Sequence, residues 1–429
     1  MQLKNIKGRI SLAACALLQV TAAQAADSDW DIDTAFLYYS EGDGRVQALE
    51  PAFYAGKELG DGERIDLRLV IDSLTGATPN GAHASTVAQT FTTPSGNASY
   101  TAAAGETPLD DTFLDTRVAL GADWTLPVNR LSRVKLGLNT SVEYDYVSLG
   151  VSGTYIQDLN NKNTTLTAGV AFNNDTYSPE GGIPLALSPM RTPGATNRVG
   201  ADDTKTITDF IFGVTQVVNR NTLIELNYSY GMSDGYLTDP FKIVSVVDPL
   251  TGLPDNSVLG AIDATNLPYV YEKRPDSRQR NSLFFRTAYH LTEDVMHFSY
   301  RYFWDDWGIT SNTFDFKYRY ELGNSYLQPH VRYYMQDAAD FYRHNLVQGV
   351  DVAASGAVLV PEVSSDSRLS KFTTSTVGLK YGYALSKNSE LSVRGEFMSQ
   401  TFDDGNVRAG EETPDLDAII LNLGYSFLW

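Results

Sequence analysis

Apolar and polar residues alternate with a period of two along most of this chain, and that pattern restricts it to β-structure. In residues 314–322, aromatic residues and leucine occupy every second position, and Asp315, Lys317, Arg319 and Glu321 stand between them. Helical periodicity is scarce, so the sequence predicts an all-β protein. Sixteen alternating segments of about ten residues lie at approximately 30–40, 46–57, 64–74, 112–126, 132–147, 149–159, 163–174, 205–218, 222–232, 281–291, 295–306, 311–322, 326–339, 370–385, 389–402 and 418–429.

The connections between these segments alternate in length. Short turns follow the even-numbered segments, whereas loops of roughly thirty to fifty residues follow segments 3, 7, 9 and 13. Short periplasmic turns and long extracellular loops are typical of bacterial outer-membrane barrels. An open sheet would leave unpaired backbone groups in hydrocarbon. The sequence therefore predicts a single transmembrane antiparallel β-barrel of about 16 strands (14–18) in the bacterial outer membrane.

The first residues predict an export signal. Lys4, Lys7 and Arg9 precede a short apolar stretch at 10–20, and the small residues at 23–25 suit a signal peptidase, so we expect cleavage after Ala25. This divides the chain into a signal peptide, 1–25, and a barrel, 26–429. A lipoprotein processing box at 12–15 is the alternative, but only two residues separate it from the last positive charge.

Cysteine content and charge exclude several classes of function. Cys15 is the only cysteine and is removed with the signal, which excludes disulfides, thiolate metal sites and cysteine nucleophiles from the mature chain. The net charge of −19 becomes more negative when the basic signal is cleaved. Since phosphates would be repelled, nucleic acid is not an expected partner.

The C-terminus has the form of a membrane-insertion signal. Leu421, Leu423, Tyr425, Phe427 and Trp429 alternate up to the last residue. Such a terminal aromatic strand resembles the signal by which outer-membrane barrels are recognised for insertion, although most of them end in Phe. The expected partners are therefore outer-membrane lipid and the barrel-assembly machinery.

Charged side chains of both signs are predicted to face the barrel interior. Because the two signs nearly balance, no single-sign selectivity filter follows. They indicate either a wall of cross-strand ion pairs or a polar conduit in which arginines sort solutes. The lumen-lining candidates are Arg117, Lys135, Glu143, Asp145, Arg286, Arg301, Asp315, Lys317, Arg319, Glu321, Arg332, Arg394 and Glu396, with Arg68, Asp66, Asp72, Asp115, Asp123, Glu225 and Asp305 also inward.

Other residues indicate no catalytic, metal or cofactor site. His290, His297 and His330 are predicted to point inward, and His83 and His344 to lie in external loops, but none has ligand spacing along the sequence. His344 beside Asp340 and Arg343 is the single loop candidate for catalysis, without a recognised enzyme motif. We therefore expect no enzymatic activity and no cofactor.

Two further residue types carry structural predictions. Trp304 and Trp307 are predicted to form part of an aromatic girdle at the membrane interface. Pro51 and Pro329 fall inside predicted strands, where the missing N–H groups predict bulges or local breaks.

Four segments resemble a known family. They are residues 72–82 (DSLTGATPNGA), 235–242 (GYLTDPFK), 271–275 (YEKRP) with Arg278, and 332–342 (RYYMQDAADFY). In this order they resemble a family of exported bacterial proteins catalogued as a domain of unknown function and regarded as outer-membrane barrels. The resemblance covers essentially the whole mature chain and carries no catalytic residue. It implies genes nearby for a small lipoprotein, a thioredoxin-like protein and a flavin transferase, and thus an association with envelope redox chemistry.

Two functions of different classes follow. The first is a porin-like channel or transporter for small polar solutes. The second is a non-conducting barrel scaffold that docks periplasmic or surface partners, including a lipoprotein, in envelope redox or flavin chemistry.

Overall fold

A computed structural model of the chain describes residues 30–42, 45–76, 79–92, 99–110, 113–192, 197–405 and 412–429. The predicted signal peptide, with Ala25 and Cys15, lies outside the described residues. Among the residues that are described, no helix is long and apolar enough to cross a membrane.

Sixteen antiparallel strands form a closed barrel, as predicted. Each strand pairs with its neighbours along the chain, and the first pairs with the last, from Asp31 opposite Leu428 to Glu41 opposite Ala418. Closure leaves no open edge, which satisfies the backbone groups of every barrel strand. The strands are β1 (Trp30–Glu41), β2 (Val46–Gly60), β3 (Glu63–Gly76), β4 (Leu114–Asn129), β5 (Ser132–Val142), β6 (Tyr146–Leu159), β7 (Thr164–Tyr177), β8 (Asp203–Asn219), β9 (Thr222–Gly235), β10 (Ser277–His290), β11 (Val295–Asp305), β12 (Thr310–Leu322), β13 (Ser325–Gln336), β14 (Phe372–Ser386), β15 (Ser389–Phe402) and β16 (Leu416–Leu428).

The two ends of the barrel differ as the connection lengths predicted. Tight turns such as 61–62, 220–221 and 323–324 close one end, and the long loops after β3, β7, β9 and β13 leave the other. Both ends of the described chain meet at the short-turn end, where the backbone N of Trp429 donates to the carbonyl of Trp30 at 2.8 Å.

The two faces of the wall differ in chemistry. One face of each strand carries large apolar side chains that stay about half exposed among the described residues, among them Leu138, Phe316 and Leu421. The other face carries polar side chains that contact each other even across an intervening strand, as His330 of β13 does with Glu396 of β15. Only the concave side brings such strands within reach, so the polar face is the interior.

Local deviations from the predicted strands have simple causes. The predicted segment 132–147 is too long, because β5 ends at Val142 and residues 143–145 form the turn into β6. The β2–β3 ladder is interrupted at Pro51 and the β12–β13 ladder at Pro329, but the register does not shift at either proline. The predicted breaks are therefore confined to one side of each strand, where the proline lacks a donor, and no bulge forms.

The long loops fold together into a second structure, which we call the cap. It comprises 79–92, 99–110, 178–192, 197–202, 236–276 and 337–371. Its centre is a four-stranded sheet in the order Pro189–Arg191, Asn266–Tyr271, Ile243–Val247 and Asn345–Val347. Two small two-stranded sheets and the short helix Leu259–Ile262 flank it; the sheets pair Gln89–Thr92 with Ser99–Ala102 and Ile183–Pro184 with Arg198–Gly200. Short 3-10 turns occur at Asn160–Lys162 and, within the cap, at Ser367–Leu369.

The cap has its own apolar core. All five residues of Ile243–Val247 are buried, so both faces of this strand are covered. One core cluster consists of Val244, Val246, Leu259, Val270, Leu346, Val352 and Val363, each with 0% of its surface exposed. A second joins three loops, through Ala82, Phe91, Ala102, Met190, Ile243 and Tyr269.

The origin of its loops places the cap across the mouth of the barrel. The contributing loops leave the rim after β3, β7, β9 and β13, which are distributed around the circumference. They can share one sheet and one core only by reaching over the opening. Trp307, in the connection between β11 and β12, packs against this structure: it is buried against Phe341 of the cap, so its predicted place in an interface girdle is wrong. Trp304 faces outward and stacks on Tyr302.

Candidate functional site

Cross-strand ion pairs cover much of the inner wall. Arg286 of β10 lies opposite Glu225 of β9 in register, and their charged atoms are 2.7 Å apart. Arg117 of β4 pairs with Asp72 of β3 at 2.5 Å. On the same wall, Asp123 lies 2.5 Å from Arg68 and 3.3 Å from Lys135, and Arg319 pairs with Glu321.

His330 links three strands on the inner wall. Its Nε2 lies 2.7 Å from Asp315 Oδ2 on β12, and its Nδ1 lies 2.7 Å from Glu396 Oε1 on β15. Lys317 and Arg394 complete the group, at 3.4 Å from Asp315 and 3.9 Å from Glu396. Each ring nitrogen of His330 thus faces a carboxylate oxygen on a different strand.

A glycine makes this bridge possible. Gly378 of β14 lies between His330 and Glu396 in register, and a Cβ there would lie 2.6 Å from Glu396 Cγ. Gly231 of β9 likewise lies between Asp209 of β8 and Arg280 of β10, and the absence of a side chain there lets these two residues pair at 3.1 Å. Neither glycine was predicted from the alternating pattern; the sequence signal for such a position is an inward-facing glycine between charged residues on the flanking strands.

An acidic group lies at the rim between β4 and β5. Carboxylate oxygens of Asp115, Glu143 and Asp145 lie within 4.8 Å of one another, and all three residues are buried. This is the only group with metal-ligand spacing in the described part of the chain. Oxygen donors of this kind suit hard cations. Glu143 and Asp145 reach the interior from the turn, not from a strand.

Two predicted lumen residues differ from the others. Within the described chain, neither Arg301 of β11 nor Arg332 of β13 has a carboxylate oxygen within 4.0 Å. Every other arginine of the barrel strands has one, and the longest of these pairs is the one at 3.9 Å between Arg394 and Glu396.

The histidines do not assemble as a metal site among the described residues. His290 and His297 lie near the short-turn end of the wall, and both ring nitrogens of His330 are engaged. In the cap, His83 Nε2 donates to the carbonyl oxygen of His344 at 2.6 Å.

The loop group proposed around His344 does not come together. The ring of His344 contacts Tyr342, and its Nε2 lies 3.5 Å from Asp404. Arg343 instead pairs with Asp351, and the backbone N of Asp340 donates to the carbonyl of Trp307. The side chains of His344 and Arg343 therefore face different carboxylates, Asp404 and Asp351.

A buried charge network, which we call the cap base, joins the cap loops to one another. Arg274 lies 2.6 Å from Glu272 and 2.8 Å from Asp366. Arg368 donates to Asp366 at 2.9 Å and lies 3.4 Å from Asp239. Lys242 donates from Nζ to the carbonyl of Pro79, and Ser364 donates to Glu272.

Burial and neighbouring charges shift the pKa values of the cap base in opposite directions. Burial raises the pKa of Glu272 and lowers that of Lys242. Burial alone would also raise the pKa of Asp366, but Arg368, Lys242 and Arg274 outweigh it and hold that pKa well below its usual range. Asp366 is therefore the anion on which the cations of the network converge.

The segments that carried the family resemblance meet around this network. In the first segment, 72–82, the backbone carbonyl of Asn80 accepts a hydrogen bond from the backbone N–H of Ile243 at 3.0 Å. Gly81, next to it, packs so closely on Ser365 that a Cβ at this position would lie 2.2 Å from the Ser365 hydroxyl. The second and third segments supply Asp239, Lys242, Glu272 and Arg274, and the fourth packs Phe341 beside Trp307. Segments spread over some 270 residues thus contact one another within the cap, and Phe341 links them to Trp307 at the barrel rim.

Solved structures similar to the chain include three bacterial barrels. OccK5 (OpdH) of Pseudomonas aeruginosa has a TM-score of 0.41 and 10% identity, covering 95% of this chain and 100% of that one. A bacterial polysaccharide outer membrane secretin has a TM-score of 0.44 and 7% sequence identity, and the match covers 94% of this chain and 100% of that one. The CymD monoaromatic hydrocarbon channel has a TM-score of 0.41 and 8% sequence identity, and the match covers 94% of this chain and 89% of that one.

Sequence comparison identifies the family. No curated protein matches the chain significantly. The profile of one family, described as "Protein of unknown function (DUF3570)", matches residues 7–427. That match spans nearly the whole sequence, and the chain belongs to this family.

Proposed function

We propose that the protein is a porin-like channel of the bacterial outer membrane that passes small polar solutes. The observation that carries the proposal is the opposite chemistry of the two faces of one closed wall. The outer face is apolar, which suits hydrocarbon, and the inner face is lined by charged and hydrogen-bonding side chains, which suits water. A barrel of sixteen strands is wide enough for an aqueous path.

Orientation follows from the loop lengths. The short-turn end, with both ends of the described chain, faces the periplasm, and the cap faces the exterior. The terminal strand β16 is the segment that the barrel-assembly machinery would recognise. The proposal assigns no catalytic step to any residue.

The cap is proposed to restrict entry. Because it reaches across the outer mouth, solutes pass between the cap and the rim, and opening the cap should enlarge the path. The charges of the cap base, at the junction between cap and rim, would then decide how firmly the path is closed.

Single-channel recording tests the proposal. The refolded mature chain in a planar bilayer should show stable ionic steps, and a variant lacking 243–270 should show larger steps. Heat-modifiable migration on SDS gels checks that both form closed barrels. Bilayers that stay silent with both folded proteins contradict the channel.

A scaffold is the second candidate, and the folded cap favours it. A cap with its own core offers a surface to partners, and a closed mouth would not conduct. On this alternative the barrel docks a periplasmic or lipoprotein partner, in envelope redox or flavin chemistry. Silent bilayers together with a cross-linked partner at the periplasmic turns would select it.

A further inference from the structure

We propose that Arg301 and Arg332 form a binding site on the inner wall for the carboxylate of small organic acids. The inference rests on the proposed function, since the ligand reaches these residues through the lumen. It adds a substrate class and a location to that function.

The first observation is the lack of internal partners. Within the described chain, neither guanidinium makes a hydrogen bond or an ion pair, whereas the other arginines of the barrel strands all lie close to a carboxylate. Asp315 lies opposite Arg332 in register, but its oxygens are engaged by His330 at 2.7 Å and Lys317 at 3.4 Å. Two positive charges on this part of the wall are therefore not neutralised by the wall itself.

The second observation is the geometry of the two arginines. Arg301 of β11 lies opposite Thr313 of β12, which lies opposite Tyr334 of β13. Arg332 is two residues from Tyr334 on the same face, so only one strand separates the two guanidinium groups. Arg301 Nε and Thr313 Oγ1 are buried and have no hydrogen-bond partner in the described residues. Two cations and a hydroxyl thus border one patch of wall.

The surroundings favour an organic anion over an inorganic one. Phe284 lies opposite Arg301 in register on the same inward face, whereas Phe303, two residues along, packs against the cap cluster around Trp307. Aromatic rings beside a guanidinium provide an apolar surface for the body of a ligand whose carboxylate binds the arginines. Guanidinium groups bind carboxylates through two parallel hydrogen bonds, and partial burial strengthens such charge-assisted bonds.

Binding can be measured independently of conduction. Equilibrium dialysis of radiolabelled benzoate against the refolded, detergent-solubilised mature chain should show saturable binding. Arg301→Gln and Arg332→Gln should each weaken it about tenfold, as expected for the loss of one charged hydrogen-bond donor. Inorganic phosphate and chloride should compete weakly.

Arg117→Gln is the matched control, because it removes the same charge from an arginine that already pairs with Asp72. It should leave benzoate binding within about twofold of the unchanged protein, since no ligand contact is lost. Equal weakening by Arg117→Gln and Arg301→Gln would overturn the site in favour of a general charge effect. Should Arg301→Gln fail to form a barrel, Arg301→Lys keeps the charge but loses the planar donor pair, and it too must weaken binding.

The two proposals fail separately. A protein that conducts ions in a bilayer but binds no benzoate overturns the carboxylate site and leaves the channel. A protein that binds benzoate through Arg301 and Arg332 but never conducts overturns the channel and leaves the site.

Discussion

Strands of the barrel expose their large apolar side chains, whereas strands of the cap bury them. On β5, Leu138 points outward with 54% of its surface exposed, while the polar residues beside it face the interior. In the cap, Leu346 is fully buried in an apolar core, and the charged residues of the cap base are buried as well. On the proposed function, the wall faces hydrocarbon and the cap faces water, so one chain folds against two solvents.

Charges follow the same division. Wall pairs such as Arg286 and Glu225 line the interior, with the arginine side chain still 26% exposed. The pairs of Arg274 in the cap base are drier, since its side chain is 10% exposed and those of Glu272 and Asp366 are 0% and 1% exposed. Because removing one member of a dry network leaves an uncompensated charge, the cap base should be the more sensitive of the two.

The largest effect should come from a charge in the cap core. Leu346→Asp places a carboxylate among fully buried valines, which should destabilise the cap by more than about 4 kcal/mol. Limited proteolysis should then cut within 236–276 and 337–371 while the barrel stays resistant. Leu359→Asp is the control, because Leu359 is 60% exposed, and it should leave the cap resistant. If the barrel were lost together with the cap, the two would not be separable folds.

Arg274→Ala should have the next largest effect. It leaves Glu272 and Asp366 buried without their shared cation, which should cost about 3–5 kcal/mol of cap stability. Hydrogen exchange of cap amides, compared with barrel amides, measures the loss. Lys371→Ala breaks the exposed pair with Asp403 and should change nothing measurable. Equal protection of the cap in both variants would count against a supporting role for the network.

Gly378→Ala should destabilise the wall by about 1–3 kcal/mol, because the new methyl group occupies the space that Glu396 uses to reach His330. Urea unfolding in lipid vesicles, followed by tryptophan fluorescence, measures it. Gly153→Ala is the matched change, since a Cβ there meets nothing within 4 Å. A smaller effect at Gly378 than at Gly153 would show that the bridge does not stabilise the barrel.

The smallest effect should be a pH dependence of the cap. The pKa of Asp366 is lowered in the folded cap, so its contribution is complete above the unfolded value of 3.8 and is lost as the pH falls below it. Asp366→Asn should reduce cap protection by a constant amount from pH 7 to about pH 4, and the difference should shrink in stronger acid. Proteolysis with an acid-stable protease measures both proteins. If the difference in protection between the unchanged protein and Asp366→Asn were already lost at a pH above 5 as the pH is lowered, the pKa of Asp366 would not be lowered.

Local sequence pattern predicted the barrel well because each barrel strand carries its own signal. Alternation in residues such as 314–322 identifies the strand and its two faces, and loop lengths identify the two ends. The cap escaped prediction because Ile243–Val247 does not alternate: it is buried on both faces and reads as a short apolar run. Its neighbour Asn345–Val347 lies about a hundred residues away, a pairing that no local pattern specifies.

The candidate site shows the same limit at the level of single residues. The sequence predicted which charges share a face, but the ion pairing of Arg117 and the lack of pairing at Arg301 depend on strand register. Trp307 was misplaced for a related reason, since an aromatic residue at a strand end suits a membrane interface and a cap core equally well.

By itself, the sequence determined the sixteen strands, their two faces and the sorting of turns and loops, because these depend on residues close together in the chain. Only the tertiary structure decided that the loops form a cap, that their charges meet at Asp366, and that two arginines of the wall have no carboxylate partner among the described residues. Those outcomes depend on contacts between segments that are distant in the sequence, because barrel closure and strand register determine which residues lie next to each other.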